Sequence, residues 1–129
     1  MRVLIVDDHV LLRRSVRALL TDRIDGVVVD EAANGEDAIR RVAGEPWDVV
    51  LLDLSLGRAR GFDTLRAIRS ARAGVAVVVM SMHPEEQYGA AARAAGAAAY
   101  IVKGSAPDAI IQAIRAAGGQ AGEPGTRLS

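Results

Sequence analysis

The chain has 129 residues, 50% of them hydrophobic, and its 16 basic side chains are balanced by 16 acidic ones. That is enough apolar material for one core and one domain, and the zero net charge gives the whole molecule no pull toward nucleic acid or an anionic membrane. Cysteine is absent, which excludes disulfides, thiolate metal sites and cysteine nucleophiles.

The first apolar run, 3–6, turns acidic at Asp7 and Asp8, too early for a signal peptide or a membrane span. A cytoplasmic protein without membrane contact is the expectation. Further apolar runs at 27–29, 49–52, 75–80 and 98–102 are near-continuous rather than alternating, which suits strands buried on both faces. Between them lie stretches with helical spacing. Leu12, Val16, Leu19 and Leu20 form one stripe while Arg13, Arg14 and Arg17 face elsewhere. A second helix starts at Asn34, with Asp37 three residues on, and runs to Gly44. A third follows Gly61 and carries Phe62, Leu65 and Ile68. A fourth, 84–95, is largely alanine, so its buried stripe is shallow and its packing weak. The fifth has Ser105 placed as N-cap, Pro107 in its first turn, and Ile110, Ile111 and Ile114 beyond.

Five strands alternating with five helices imply βα units, and so an α/β, doubly wound, five-stranded parallel sheet with helices on both faces. Right-handed crossovers leave more than one strand order open, and the flavodoxin-like 2-1-3-4-5 is the expected one among them. The ordered domain is expected over 1–117. From Gly118 the composition becomes that of a flexible linker or tail, 118–129.

In an open parallel sheet, ligands bind beyond the carboxyl ends of the strands. Asp7 and Asp8 follow the first strand, Asp53 ends the third, Ser81 ends the fourth, and Lys103 follows the fifth. Arginine supplies 15 of the 16 cations, and Lys103 is the only lysine. Three carboxylates together need a counter-charge, since like charges raise one another's pKa. Oxygen donors alone suit Mg²⁺ better than Zn²⁺, and neither His9 nor His83 has a partner at ligand spacing. Taken singly, each residue has a plain structural use: Asp7 and Asp8 suit a helix N-terminus equally well, and a lone lysine is usually solvated. Their joint placement at the ends of different strands is the specific signal.

These residues, with the Ser81-Met82-His83 turn, the Ala95-Gly96-Ala97 segment and Tyr100-Ile101-Val102-Lys103, resemble the receiver domains of two-component response regulators over roughly 2–117, and the NarL/FixJ-type subgroup in particular. The resemblance implies that Asp53 accepts a phosphoryl group from a sensor histidine kinase. It also implies that Asp8 binds Mg²⁺ directly and Asp7 through water, with Asp53 and the backbone carbonyl of Ser55 completing the protein ligands. Lys103 would pair with a phosphoryl oxygen, and Ser81 would hydrogen-bond the new group and draw its loop inward, vacating space that Tyr100 fills. A phosphorylation-dependent homodimer is a further implied partner state. Two positions depart from the family pattern: Gly57 stands where proline is usual, and Gly104 follows the lysine where proline is common.

Relatives of the subgroup usually continue into a helix-turn-helix domain. Without a basic recognition helix, these 129 residues are not expected to bind DNA by themselves. Two other functions compete. An aspartyl phosphohydrolase of haloacid-dehalogenase type would have Asp two positions after its nucleophile, where Ser55 stands. A phosphorylation-independent interaction module would lack a working acceptor, yet every key residue is present.

Overall fold

The structure is a computed structural model that describes residues 1–54 and 58–122, with side chains at all of these except 58, 59 and 120–122. Ser55, Gly57 and the stretch 123–129 of the expected tail therefore lie outside the described residues. Five strands and five helices alternate: β1 (Arg2–Val6), α1 (Val10–Arg23), β2 (Val28–Ala32), α2 (Gly35–Gly44), β3 (Val49–Asp53), α3 (Arg58–Ala71), β4 (Ala76–Ser81), α4 (Glu85–Ala94), β5 (Ala99–Val102) and α5 (Pro107–Gly122). All strand pairs are parallel, as the unbroken apolar runs predict, and the order is the expected β2-β1-β3-β4-β5.

Two apolar layers enclose the sheet. Val3, Ile5, Leu51, Val78 and Ile101 point to the side covered by α1 (Val16, Leu20) and α5 (Ile111, Ile114). Leu4, Leu52, Val77 and Val79 point to the side covered by α2 (Ala38, Val42), α3 (Leu65, Ile68) and α4 (Ala92). The central strands are buried on both faces, which accounts for their unbroken apolar runs. Edge strand β2 extends past its apolar run through Asp30 and Glu31, because those carboxylates are paired by Arg41, Arg13 and Arg17 rather than left facing the core.

Several boundaries differ from the sequence expectation, each for a local reason. The start of α2 is as expected, with Asn34 as N-cap and its side chain accepting a hydrogen bond from the Asp37 amide at 2.8 Å. Ser105 does not cap α5: its hydroxyl donates to the Val102 carbonyl at 2.6 Å, and the helix begins at Pro107. The last helix also continues beyond Gly118, where a Cβ would lie 2.5 Å from Met1 Cε, so this glycine is a close-packing position and not a break. Helix α3 starts at Arg58, three residues before Gly61.

Gly61 has a different use from starting a helix. A Cβ there would sit 2.8 Å from Leu54 Cδ2, 3.0 Å from the Leu54 carbonyl oxygen and 3.1 Å from its Cα. Helix α3 thus presses directly on the residue after Asp53. Glycine to alanine inside a helix ordinarily stabilises, by about 1 kcal/mol; at this contact the sign should reverse. We expect Gly61→Ala to destabilise by about 1–3 kcal/mol in urea unfolding. An unchanged or raised midpoint would contradict the close approach.

Candidate functional site

Register brings the strand ends together. Val6 pairs with Leu52, Asp53 with Met80, and Ser81 with Val102, so Asp7, Asp53, Ser81 and Lys103 form one row across the carboxyl edge of four adjacent strands. The Lys103 amide donates to the Ser81 carbonyl at 2.7 Å, which extends the β4–β5 ladder up to the lysine. The sequence-predicted residues Asp7, Asp53, Ser81 and Lys103 are thus neighbours in space, and Asp8 lies beside them on the exposed rim.

The row is largely dry. Asp7 is 3% exposed, Asp53 2% and Ser81 1%. Lys103 Nζ lies 2.9 Å from Asp53 Oδ2 and 3.8 Å from Asp7 Oδ2, so one partly buried ammonium faces two buried carboxylates. Burial pushes the Asp7 carboxyl above its ordinary value; the His9 amide opposes this, Asp53 adds to it, Lys103 opposes it, and Asp8 adds a little more. Among the described residues, Lys103 is the cation that reaches both carboxylates.

The backbone around Asp7 is well anchored. Its amide donates to the Ala32 carbonyl at 3.1 Å, its Oδ1 accepts from the His9 amide at 2.8 Å, and its carbonyl accepts from Arg13 Nη1 at 2.6 Å. Neither Asp7 nor Asp8 caps α1; the N-cap position is His9, which makes no side-chain capping bond. Ligand atoms of Asp7, Asp8 and His9 lie within 4.8 Å of one another, so His9, which sequence spacing leaves without a partner, belongs to this group. Carboxylate oxygens of this number, with residual negative charge and an open side at Asp8, fit a hard cation with several waters. The expected fourth contributor, the Ser55 carbonyl, lies outside the described residues.

On the other side, Ser81 Oγ accepts from the His83 amide at 3.0 Å, and Tyr100 donates its hydroxyl to the His83 carbonyl at 2.8 Å. Tyr100 is 7% exposed, so its ring already occupies the inward position that sequence reasoning assigns to the switched state. The His83 ring stands edge-on to Tyr88 at 4.9 Å between centroids, and Tyr88 to Phe62 at 6.5 Å. These contacts tie the β4–α4 loop to α4 and α3. After Lys103, Gly104 has φ +89°, which a proline ring, held near −65°, cannot adopt.

Sequence reasoning missed Arg13 and Glu31. Glu31 accepts from Arg13 Nε and from Arg17 Nη1, each at 2.9 Å, which holds its carboxyl below the usual value, the Arg17 hydrogen bond contributing most. A surface groove of about 690 Å³ opens beside Asp8, between α2 and α3, with Asn34, Arg60, Asp63 and Thr64 on its walls.

With fold and site in place, comparison with known proteins gives the family. The profile described as "Response regulator receiver domain" matches residues 3–115. The chain belongs to the response-regulator receiver-domain family. Its sequence relatives are of the NarL/FixJ type. Response regulator UvrY of Escherichia coli (strain K12) is 41% identical over 114 residues, 88% of this chain and 52% of that protein. The chain therefore spans about half the length of the curated relatives it matches. Among solved structures, a CheY-like receiver domain protein from Methanospirillum hungatei JF-1 superposes with TM-score 0.84 at 24% identity, covering 96% of this chain and 98% of that one. A LuxR-family two-component response regulator from Aurantimonas sp. SI85-9A1 gives TM-score 0.82 at 34% identity, covering 89% and 82%. Among the described residues no helix is long and apolar enough to cross a membrane.

The direction of the Asp7 shift sets a pH dependence. A carboxyl whose folded pKa lies above its unfolded one holds its proton more tightly in the native state, so its contribution is best below the unfolded value and is lost as pH rises through the folded value. At neutral pH the ionised Asp7 is a burden on folding. In metal-free buffer we expect Asp7→Asn to raise the thermal midpoint at pH 7 and to flatten the decline in stability between the unfolded and the folded pKa of Asp7. A lowered midpoint with an unaltered pH profile would show that Asp7 is not strained by its burial.

Proposed function

We propose that this chain is a phosphorylation-activated switch in which Asp53 accepts a phosphoryl group from a sensor histidine kinase. The observation that carries the reading is the position of Asp53: at the end of a central strand, 2% exposed, with Lys103 Nζ at 2.9 Å and Asp7 across the same row. An aspartate with no chemical task is rarely placed there, because burying a carboxylate and an ammonium together is weak support for stability.

In this reading an Asp53 carboxylate oxygen attacks the phosphorus of a phosphohistidine. The new O–P bond forms as the P–N bond breaks, leaving an acyl phosphate on Asp53 and the imidazole on the kinase. Asp8 and Asp53 would hold Mg²⁺, with Asp7 acting through water. When bound, the cation offsets charge on the phosphoryl oxygens and orients the donor. Lys103 moves its ion pair from the Asp53 carboxylate to a phosphoryl oxygen, a short displacement that its flexible stem allows. Ser81, whose Oγ accepts from the His83 amide, turns its own proton toward the new group and carries the His83 backbone with it. Tyr100, bonded to the His83 carbonyl, passes that movement to the surface of α4 and β5. Nothing in this sequence of events turns over a free substrate, so the chain is a signalling domain that catalyses only its own phosphorylation and dephosphorylation.

The matched segment makes up 52% of a relative such as UvrY. In that context the receiver domain runs through α5, past the expected boundary at 117, and serves as the regulatory part of a transcriptional regulator. It does not contact DNA alone, it acts in the cytoplasm, and it forms a homodimer on phosphorylation.

Incubation with Mg²⁺ and acetyl phosphate, followed by intact-mass measurement, tests the acceptor. The wild type should gain the mass of one phosphoryl group, removed by EDTA in the reaction and lost in Asp53→Asn. Retention of the added mass in Asp53→Asn would place the acceptor elsewhere. No gain in the wild type would favour the phosphorylation-independent module, and steady release of inorganic phosphate from many esters would favour a hydrolase.

A further inference from the structure

We infer that Arg13 is a positioning residue for the cation-binding carboxylates: it fixes the plane of the Asp7–Asp8 peptide and so aims Asp8. The inference rests on the reading of Asp7 and Asp8 as the Mg²⁺ site.

Arg13 lies in the first turn of α1, and its side chain is only 13% exposed. One arm, Nη1, donates to the Asp7 carbonyl at 2.6 Å; the other, Nε, donates to Glu31 in β2 at 2.9 Å. A planar guanidinium with two arms engaged cannot swing, so the Asp7 carbonyl is held against a rigid brace between a helix and a strand. The opposite end of the same peptide unit is the Asp8 amide, and a peptide is a single plane. Fixing the carbonyl therefore fixes where the Asp8 Cα begins.

The remaining polar groups of Asp7 divide the work. Its amide is held by the Ala32 carbonyl and its Oδ1 by the His9 amide, which leaves Oδ2 toward Lys103. Asp8, by contrast, is exposed. An exposed ligand depends on its backbone for direction, and Arg13 is the side chain that grips that backbone. Exposed pairs such as Arg66 with Asp63, 61% and 78% exposed, have no such contact with the site. Lysine could reach the carbonyl or Glu31, but a single ammonium at the end of a flexible stem would not bridge both with fixed orientation.

The test uses the full chain with Mg²⁺ alone as the probe. Calorimetry gives the Mg²⁺ Kd, and amide NMR reports the Asp8 and His9 backbone before and after metal. Arg13→Gln should raise the Kd roughly ten-fold, the scale of losing a group that orients a metal ligand, and should move the Asp8 amide signal before any Mg²⁺ is added. Arg13→Lys should fall between. Arg17→Gln removes the other arginine on Glu31 and leaves the Asp7 carbonyl bond, so its Kd should stay within about two-fold of wild type, as for an ordinary half-exposed pair. A wild-type Kd in Arg13→Gln, or an equal loss in Arg17→Gln, would overturn the inference. Should Arg13→Gln fail to fold, Arg13→Lys decides it, a wild-type Kd there being contrary. Wild-type protein that binds no Mg²⁺ would remove the site reading as well, whereas wild-type binding with Arg13→Gln unaffected removes the brace alone.

Discussion

Two carboxylates, Asp7 and Asp53, are buried at the edge of a sheet, and among the described residues Lys103 is the one ammonium set between them. Lys103 Nζ sits 2.9 Å from Asp53 and 3.8 Å from Asp7, and it cannot neutralise both. A buried pair of unequal charge is costly unless something else arrives to share the load. A divalent cation is the chemically matched addition, and a phosphoryl group then becomes the matched partner for the ammonium. Burial raises the Asp7 carboxyl above its ordinary value, and the Asp53 charge adds to that.

The rest of the fold serves to hold those charges in place. Parallel register puts four strand ends in one row, and two apolar layers lock that register, since a slip by one residue would turn each strand's inward set around. Helix α3 touches Leu54, one residue beyond Asp53, because Gly61 has no side chain to stand it off. From Ser81 a hydrogen-bonded path runs through the His83 backbone to Tyr100, and a ring path runs through His83 and Tyr88 to Phe62. A change at Asp53 thus has direct physical routes to α3, α4 and β5. This is a contiguous set of contacts, and its coupling is a matter of energy that position alone does not supply.

Much of this was legible in the sequence because buried parallel strands write unbroken apolar runs and their last residues stand out as polar. Asp53, Ser81 and Lys103 could be placed at strand ends without coordinates, whereas the apolar pattern alone left more than one strand order open. What escaped was whatever depends on pairing between elements. Arg13 is one of 15 arginines, and nothing in its spacing says that it reaches the Asp7 carbonyl; that required the register of β1 on β2, which brings Glu31 within range of α1. Ser105 carries an N-cap signature, but a competing carbonyl at Val102 takes its hydroxyl. Gly61 and Gly118 read as a helix start and a linker because glycine is usually punctuation; both are close-packing positions inside helices, visible only once Leu54 and Met1 are seen against them.

The charge imbalance at Asp7, Asp53 and Lys103 is tested most directly by thermal unfolding with and without Mg²⁺ across pH. Anything that binds only the native state stabilises it by mass action, and a cation held by carboxylates must compete with protons. Mg²⁺ should raise the midpoint at neutral pH, and that gain should shrink as pH falls and the carboxylates protonate. A gain independent of pH, or none at pH 7, would mean that the buried carboxylates are already balanced and that the site is not poised for a cation.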